Sequence, residues 1–279
     1  MKRRHFVNAL VYALLTVLGV VWLIPIFFLV LHSFRAEPGA AIRYLFPREY
    51  TLGNYTRLFT DRSLFDFPRW YANTLTVSAA SCVLSTLYVL MIAYAFSRLR
   101  FPRREGMMRA GLILNMFPGF MSMIAVYFIL KAVGLTQSLL ALVLVYSGAS
   151  ALTYYVAKGF FDTIPRALDE AAYIDGATKA QIFFRITLPL SKPIVVYTVL
   201  MSFMAPWMDF IFASVIMKDN YKNYTVALGL FQMITRENIY DYFTAFCAGS
   251  VLVAIPIALL FLFMQRYYVE GVTGGAVKG

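Results

Sequence analysis

The segment "LDEAAYIDGATKAQIFFRITLPLSKP", Leu168 to Pro193, lies between two long apolar runs, yet it is dense with charge and helix formers and turns at Asp175-Gly176. Pro165 is placed as the first residue of a helix, with Thr163 upstream as its cap. That helix runs through "RALDEAAYID" and stops at Gly176, a common C-terminal signal. A second short helix, "KAQIFFRIT", follows Thr178 and ends before Pro189. On the first helix Leu168, Ala171, Ala172 and Asp175 share a face. Small alanines edged by Glu170 and Asp175 let such a face lie in a groove of another protein at close range. A helical hairpin lying on a membrane surface with no partner satisfies the same pattern, so the residues alone leave both readings open.

The flanks decide the fold class. Of the 279 residues, 61% are hydrophobic and 14% charged, and the mean hydropathy is +0.69; a soluble domain carries about a quarter charged residues. The surplus apolar surface calls for lipid as its solvent. Six stretches are long enough to cross a core of roughly 30 Å, which takes about 20 helical residues. They are 6–31, 70–97, 110–130, 132–157, 193–217 and 242–265, the fifth interrupted by Asp209. Lys131 to Gln137, turning at Gly134, joins the third and fourth. The N-terminus, "MKRRHFVNALVYALLTVLGVVWLIPIFFLVL", begins like a signal peptide, but its apolar run is too long and lacks a small-residue cleavage site, so it reads as a retained first span. The expected architecture is an all-α membrane protein of six transmembrane helices, one domain over 1–279, with 158–192 as a loop.

Lys and Arg are retained on the cytoplasmic side of short loops. Lys2, Arg3 and Arg4 precede the first span, "SRLRFPRREGMMR" between the second and third holds five arginines, and the 158–192 loop holds Lys158, Arg166, Lys179, Arg185 and Lys192. Both termini and the 158–192 loop are therefore expected in the cytoplasm. The long loop from His32 to Arg69 carries six arginines on the other side, accompanied by four acids. Orientation thus accounts for most of the net charge of +11, and nucleic acid is not expected as a partner. Cys82 and Cys247 fall inside apolar runs, and no Cys/His spacing resembles a metal site. No catalytic constellation is visible. No Gly-rich phosphate loop ending in Lys-Ser/Thr occurs, and the terminal "VTGGAVKG" lacks that spacing.

"EAAYIDGA" followed by "ITLPLSKP" resembles the EAA motif of binding-protein-dependent ABC importer permeases, with Glu170, Ala171, Ala172, Gly176, Ile186, Leu188 and Pro189 at matching positions. "TLGNYTRLF" from Thr51, "GLTQSLLALVLVY" from Gly134 and "MQRYYVEGVTGGAVKG" from Met264 resemble the carbohydrate branch, the last being most similar to the second permease subunit of maltose/maltodextrin importers. The resemblance implies a type I importer permease fold in a prokaryotic cytoplasmic membrane. It implies a heterodimer with a second permease, two cytoplasmic ATPase subunits that hold ATP and magnesium, and an external sugar-binding protein. No cofactor or catalytic residue is expected in this subunit. The quoted segment becomes a coupling helix docked on an ATPase through Glu170, Ala171, Ala172, Asp175 and Gly176. Gly274, Gly275 and Lys278 in the tail are expected to contact the ATPase pair, and Thr235, Arg236, Glu237, Asn238 and Tyr240 the binding protein.

Three further residues stand out. Asp209 in "APWMDFIF" is an ionisable group within a span and a functional candidate on that ground; the plainer reading is a span that ends early near the outer interface. Many permeases of the carbohydrate branch have Asn where this chain has Met208, so this chain lacks that amide. Asn115 and Pro118 in "LNMFPGF" interrupt the third span, as a gate bend lining the pathway or as a packing kink. An ion-coupled secondary transporter is the alternative function, with Asp209 as its support.

Overall fold

The structure, a computed structural model, describes residues 2–41, 44, 46–117, 119–148 and 151–276, with side chains at all of these except 2, 3, 120, 151 and 268–276. The described residues are overwhelmingly helical, and their β-structure is a single antiparallel bridge between Arg35 and Tyr50. The helices are α1 (Lys2–Ser33), α2 (Gly53–Thr60), α3 (Phe67–Arg98), α4 (Arg104–Asn115), α5 (Gly119–Ala132), α6 (Leu139–Ser147), α7 (Ala151–Asp162), α8 (Arg166–Ile174), α9 (Lys179–Leu190, with a π-helical stretch at Phe183–Thr187), α10 (Lys192–Met208), α11 (Ile211–Met217), α12 (Val226–Met233) and α13 (Ile239–Ala276).

Three of the expected spans lie within single long apolar helices: 6–31 in α1, 70–97 in α3 and 242–265 in α13. The other three are broken. The third divides into α4 and α5 around Met116-Phe117, the fourth into α6 and α7, and the fifth into α10 and α11 around Asp209-Phe210. Interruptions of a span free backbone groups that protein must satisfy, and the breaks in the third and fifth have local partners among the described residues. Met116 and Phe117 donate their N–H groups to Ile113 and Leu114, and Asp209 closes α10 by donating to Ala205. The turn between α5 and α6 uses Gly134 at φ +70, as its sequence position predicts.

The chain forms two compact units. The first comprises Met1–Arg69 and Gly229–Ile255. Residues 4–27 of α1 are exposed along their whole length, an apolar surface fit for lipid. The far end of α1 is tied down: Asn54 donates to the carbonyls of Ser33 and Arg35 at 3.0 and 2.8 Å. Arg35 is fully buried, donates to the carbonyls of Glu37 and Gly39, and lies over the Phe243 ring. Gly249 allows close packing, since a Cβ there would meet Leu230 at 2.6 Å and Phe67 at 3.0 Å.

The second unit comprises Trp70–Leu228 and Pro256–Gly279. Its long helix α3 presents a buried stripe of small hydroxyl residues, Thr74, Ser78, Ser81 and Ser85, at helical spacing. Small residues let helices approach closely in a membrane, and here Ser85 accepts from Ser202 of α10 at 3.1 Å while Cys82 donates to the Val199 carbonyl. At one end of α3 the Thr74 hydroxyl accepts from the N–H of Val226. At the other, Ala93 and Tyr94 join Ala157, Phe161, Ile164, Phe183 and Ile194 in a core that reaches the entry to α8 and carries α9.

Candidate functional site: the α8–α9 joint

Helix α8 begins at Arg166, with Pro165 preceding it as the cap residue and no side chain capping it. Thr163 does not cap as expected: its hydroxyl donates backwards to the Phe160 carbonyl at 2.7 Å. The C-terminus follows the sequence closely. Gly176 has φ +82, its N–H donates to Tyr173 and that of Ala177 donates to Ala172. These paired bonds satisfy the last carbonyls and need a left-handed residue, the conformation glycine adopts at no side-chain cost. A Cβ on Gly176 would meet nothing within 4 Å, so the constraint is backbone conformation and not space. Thr178 then caps α9 in a reciprocal box with Gln181.

Two details of the hairpin differ from expectation. Helix α9 does not end before Pro189 but runs through it to Leu190, widening into a π-helical stretch that accommodates the missing N–H. The axes of α9 and α10 then bend by 85° at Ser191, which is buried and donates to the Thr187 carbonyl. The α8 face is also rotated. Leu168, Ala171 and Asp175 are exposed, while Ala172 turns inward with Asp169. The outward surface therefore consists of Leu168, Glu170, Ala171, Tyr173, Ile174 and Asp175, with Ile174 86% exposed.

The inward contact is a group that sequence reasoning missed. Asp169 Oδ2 lies 3.2 Å from Nε of Arg98, both side chains nearly buried. Nη2 of Arg98 donates to the carbonyls of Phe161 and Ile164 at 2.9 and 2.8 Å, tying the end of α7 and the entry to α8 to the end of α3. Beside it Ser97 donates to Asp162 at 2.6 Å, and Lys158 pairs with the same carboxylate. Beneath, the Tyr94 ring packs on Phe183 with centroids 4.9 Å apart. The hairpin is therefore held at its base by charge at α8 and by aromatic packing at α9, while the outer face of α8 stays open.

Asp209 occupies the break in the fifth span. Its Oδ2 accepts from the Tyr146 hydroxyl of α6 at 2.5 Å, and its Oδ1 accepts from the N–H of Phe212 in the first turn of α11 at 3.1 Å. The carboxylate thus restarts the helix it interrupts, and it links two broken spans. Tyr146 is the partner that sequence reasoning left out. Asn115 is the last, exposed residue of α4; Pro118 lies outside the described residues.

The outer residues divide. Thr235 and Asn238 turn inward to build the α12–α13 connection: the Asn238 amide donates to the Gln232 carbonyl and to the Thr235 hydroxyl, and that hydroxyl donates to Gln232. Arg236, Glu237 and Tyr240 are exposed. In the tail, Gly274 and Gly275 continue α13, which extends to Ala276 instead of ending near 265; Lys278 lies outside the described residues. Among the described residues no group of three or more His, Cys, Asp or Glu is placed to hold a metal ion.

Comparison with known proteins converges with this geometry. Residues 88–273 match the family described as binding-protein-dependent transport system inner membrane component. The chain is 34% identical to the galactooligosaccharides transport system permease protein GanQ of Bacillus subtilis, covering 100% of this chain and 99% of that protein. It is 35% identical to the maltodextrin transport system permease protein MdxG of the same organism, covering 96% and 95%. Among solved structures, a bacterial ABC transporter involved in import of the acidic polysaccharide alginate superposes with a TM-score of 0.81 at 21% identity, covering 96% of this chain and 98% of that one.

Proposed function

The chain belongs to the family of binding-protein-dependent transport system inner membrane components, and from that membership we propose that it is a transmembrane permease subunit of an ATP-driven importer of maltodextrin or related oligosaccharides. The observation that carries the reading is α8: an EAA-type helix anchored at its base by Arg98 and Asp169, stopped by a left-handed Gly176, and open on its outer face. A lever of this kind transmits force only when it is stiff where it joins the membrane helices and free where its partner binds.

In this reading Glu170, Ala171, Asp175 and the exposed Tyr173 and Ile174 meet a separate ATPase subunit. Two such subunits hold ATP and magnesium, and this chain carries no cofactor. A second permease completes the translocation pathway, with Asp209 and the broken spans facing it. An external sugar-binding protein docks near Arg236, Glu237 and Tyr240, and the Gly274-Gly275 stretch approaches the ATPase pair. The named relatives handle galactooligosaccharides and maltodextrin, which sets the substrate class as oligosaccharide.

The test is uptake by the assembled transporter in vesicles. Uptake of maltodextrin should require ATP and the binding protein and should survive proton and sodium ionophores. Uptake that collapses with the ionophores and ignores ATP would establish ion-coupled transport instead.

A further inference from the structure

One cavity in the second unit is distinguished by its charge. It measures about 470 Å³ and opens where α3 ends and α4 begins, lined by Arg98, Arg100, Arg103, Arg104 and Arg166, with Glu105 as its acid. Glu105 pairs with Arg109, 3.6 Å away on the next turn, and Arg98 is committed to Asp169. Arg104 gives one N–H to the Leu99 carbonyl. Arg100, Arg103 and Arg166 have no carboxylate at ion-pair distance among the described residues.

The backbone adds to this charge. Arg103 has φ +64 at the entry to α4, and no side chain caps that twelve-residue helix. Its first N–H groups lack a side-chain cap, and Glu105 is the one acid in its first turn, set against five arginines around the cavity. Orienting a chain in a membrane requires cationic residues near the span ends; it does not require five guanidinium groups to ring one cavity, where they repel one another. The anion that fits has several oxygens and accepts forked hydrogen bonds, which is the chemistry of phosphate.

We propose that this cavity binds a phosphate group, from an anionic phospholipid headgroup or from a soluble phosphate, and that its occupancy biases the pose of α8. The link is short: Arg166 is the first residue of α8, and Arg98 holds Asp169 of the same helix. The binding half stands without the transport reading. The coupling half rests on α8 being the ATPase contact.

The test uses the complete transporter, purified without nucleotide in chloride buffer. One arm titrates inorganic phosphate calorimetrically; binding at the ATPase sites is common to all permease variants and drops out of the comparison. The other arm reconstitutes the transporter in nanodiscs of phosphatidylcholine with phosphatidylglycerol and measures by native mass spectrometry which lipid is retained. Arg100→Gln combined with Arg103→Asn should weaken binding about tenfold or more, the worth of at least one lost charge-assisted contact. A change in the phosphate arm alone assigns a soluble ligand, and a change in lipid retention assigns the headgroup. No difference from wild type in either arm overturns the proposal. So does loss of ATPase co-purification with both arms unchanged, which would mean that an acidic part of the ATPase fills the cavity. Should the double variant fail to assemble, Arg103→Gln alone carries the test with the same outcomes. Sugar-stimulated ATP hydrolysis in discs with and without phosphatidylglycerol, or with and without added phosphate, reads the coupling half; binding with unchanged hydrolysis refutes that half and leaves the site.

Discussion

Asp169 and Asp209 are both carboxylates held at helix junctions, and they are stabilised by different means. Asp169 faces a guanidinium, with Arg98 donating onward to two carbonyls. Asp209 has no cation at ion-pair distance among the described residues; it accepts from the Tyr146 phenol and from the backbone N–H of Phe212. Near the ends of spans, arginine is plentiful because it orients the chain, so a buried acid can be matched by full charge. Within an apolar run a second ion would add its own desolvation cost, and oriented dipoles take its place. The first arrangement makes a rigid foot for α8. The second makes a breakable clasp between two discontinuous spans.

The largest expected effect on fold stability is at the foot. Arg98→Ala removes the ion pair and both carbonyl bonds and leaves Asp169 buried without its counter-charge, a loss of about 3–5 kcal/mol. The thermal unfolding midpoint of the purified transporter measures it. Asp169→Asn added to Arg98→Ala should recover part of the loss. If the double variant is no better than the single one, the foot is not built on this pair.

The clasp is weaker. Asp209→Leu removes the phenol's acceptor and the group that restarts α11, at about 1.5–3 kcal/mol for a hydrogen-bonded charged group. Assembly should survive while uptake falls. Tyr146→Phe should show a smaller loss in the same direction. Uptake by Asp209→Leu equal to wild type at matched expression would reduce the clasp to packing and leave the two carboxylates alike in function.

The hinge at Gly176 separates energy from function. Valine there must adopt φ near +82 without meeting any atom, so the cost is strain of about 1–2 kcal/mol. The two permeases should still insert and pair, yet uptake should be abolished because relief of that strain re-aims α8. Asn, which tolerates the left-handed region, should retain much of the uptake. A valine variant with full sugar-stimulated hydrolysis would end the assignment of α8 as a lever.

These residues show how far the sequence could be read. The long helices α1, α3 and α13 are legible because a charge-free run of sufficient length has one stable form in lipid. The breaks in the other spans are less legible, because counting charge detects where a helix must leave lipid and not where it can pause inside protein. Asp209 and Asn115 stand out in the sequence as anomalies, but Tyr146, the partner that explains Asp209, looks like any aromatic on an apolar helix. Gly176 was readable because a glycine after a helical run has a specific backbone use. The orientation of α8 was not readable. Periodicity groups Leu168, Ala171, Ala172 and Asp175, whereas the actual rotation buries Asp169 and Ala172 and sets Asp169 against Arg98, a residue distant in sequence that reads as one more orienting charge.

The smallest expected effect sits one residue from the carboxylate of the foot. Glu170 follows Asp169 on α8 but points outward, with no ion-pair or hydrogen-bond partner among the described residues. In the isolated permease its removal touches nothing, so Glu170→Ala should leave the unfolding midpoint unchanged. Its effect should appear only against the ATPase, where one partly exposed charge pair is worth about 1 kcal/mol or less, or about fivefold in retention. Co-purification of the ATPase at rising salt measures this, since a rim charge loses its contribution as screening increases. If Glu170→Ala destabilises the permease itself as much as Asp169→Ala does, both carboxylates serve the foot, and the outward face of α8 has been placed on the wrong side.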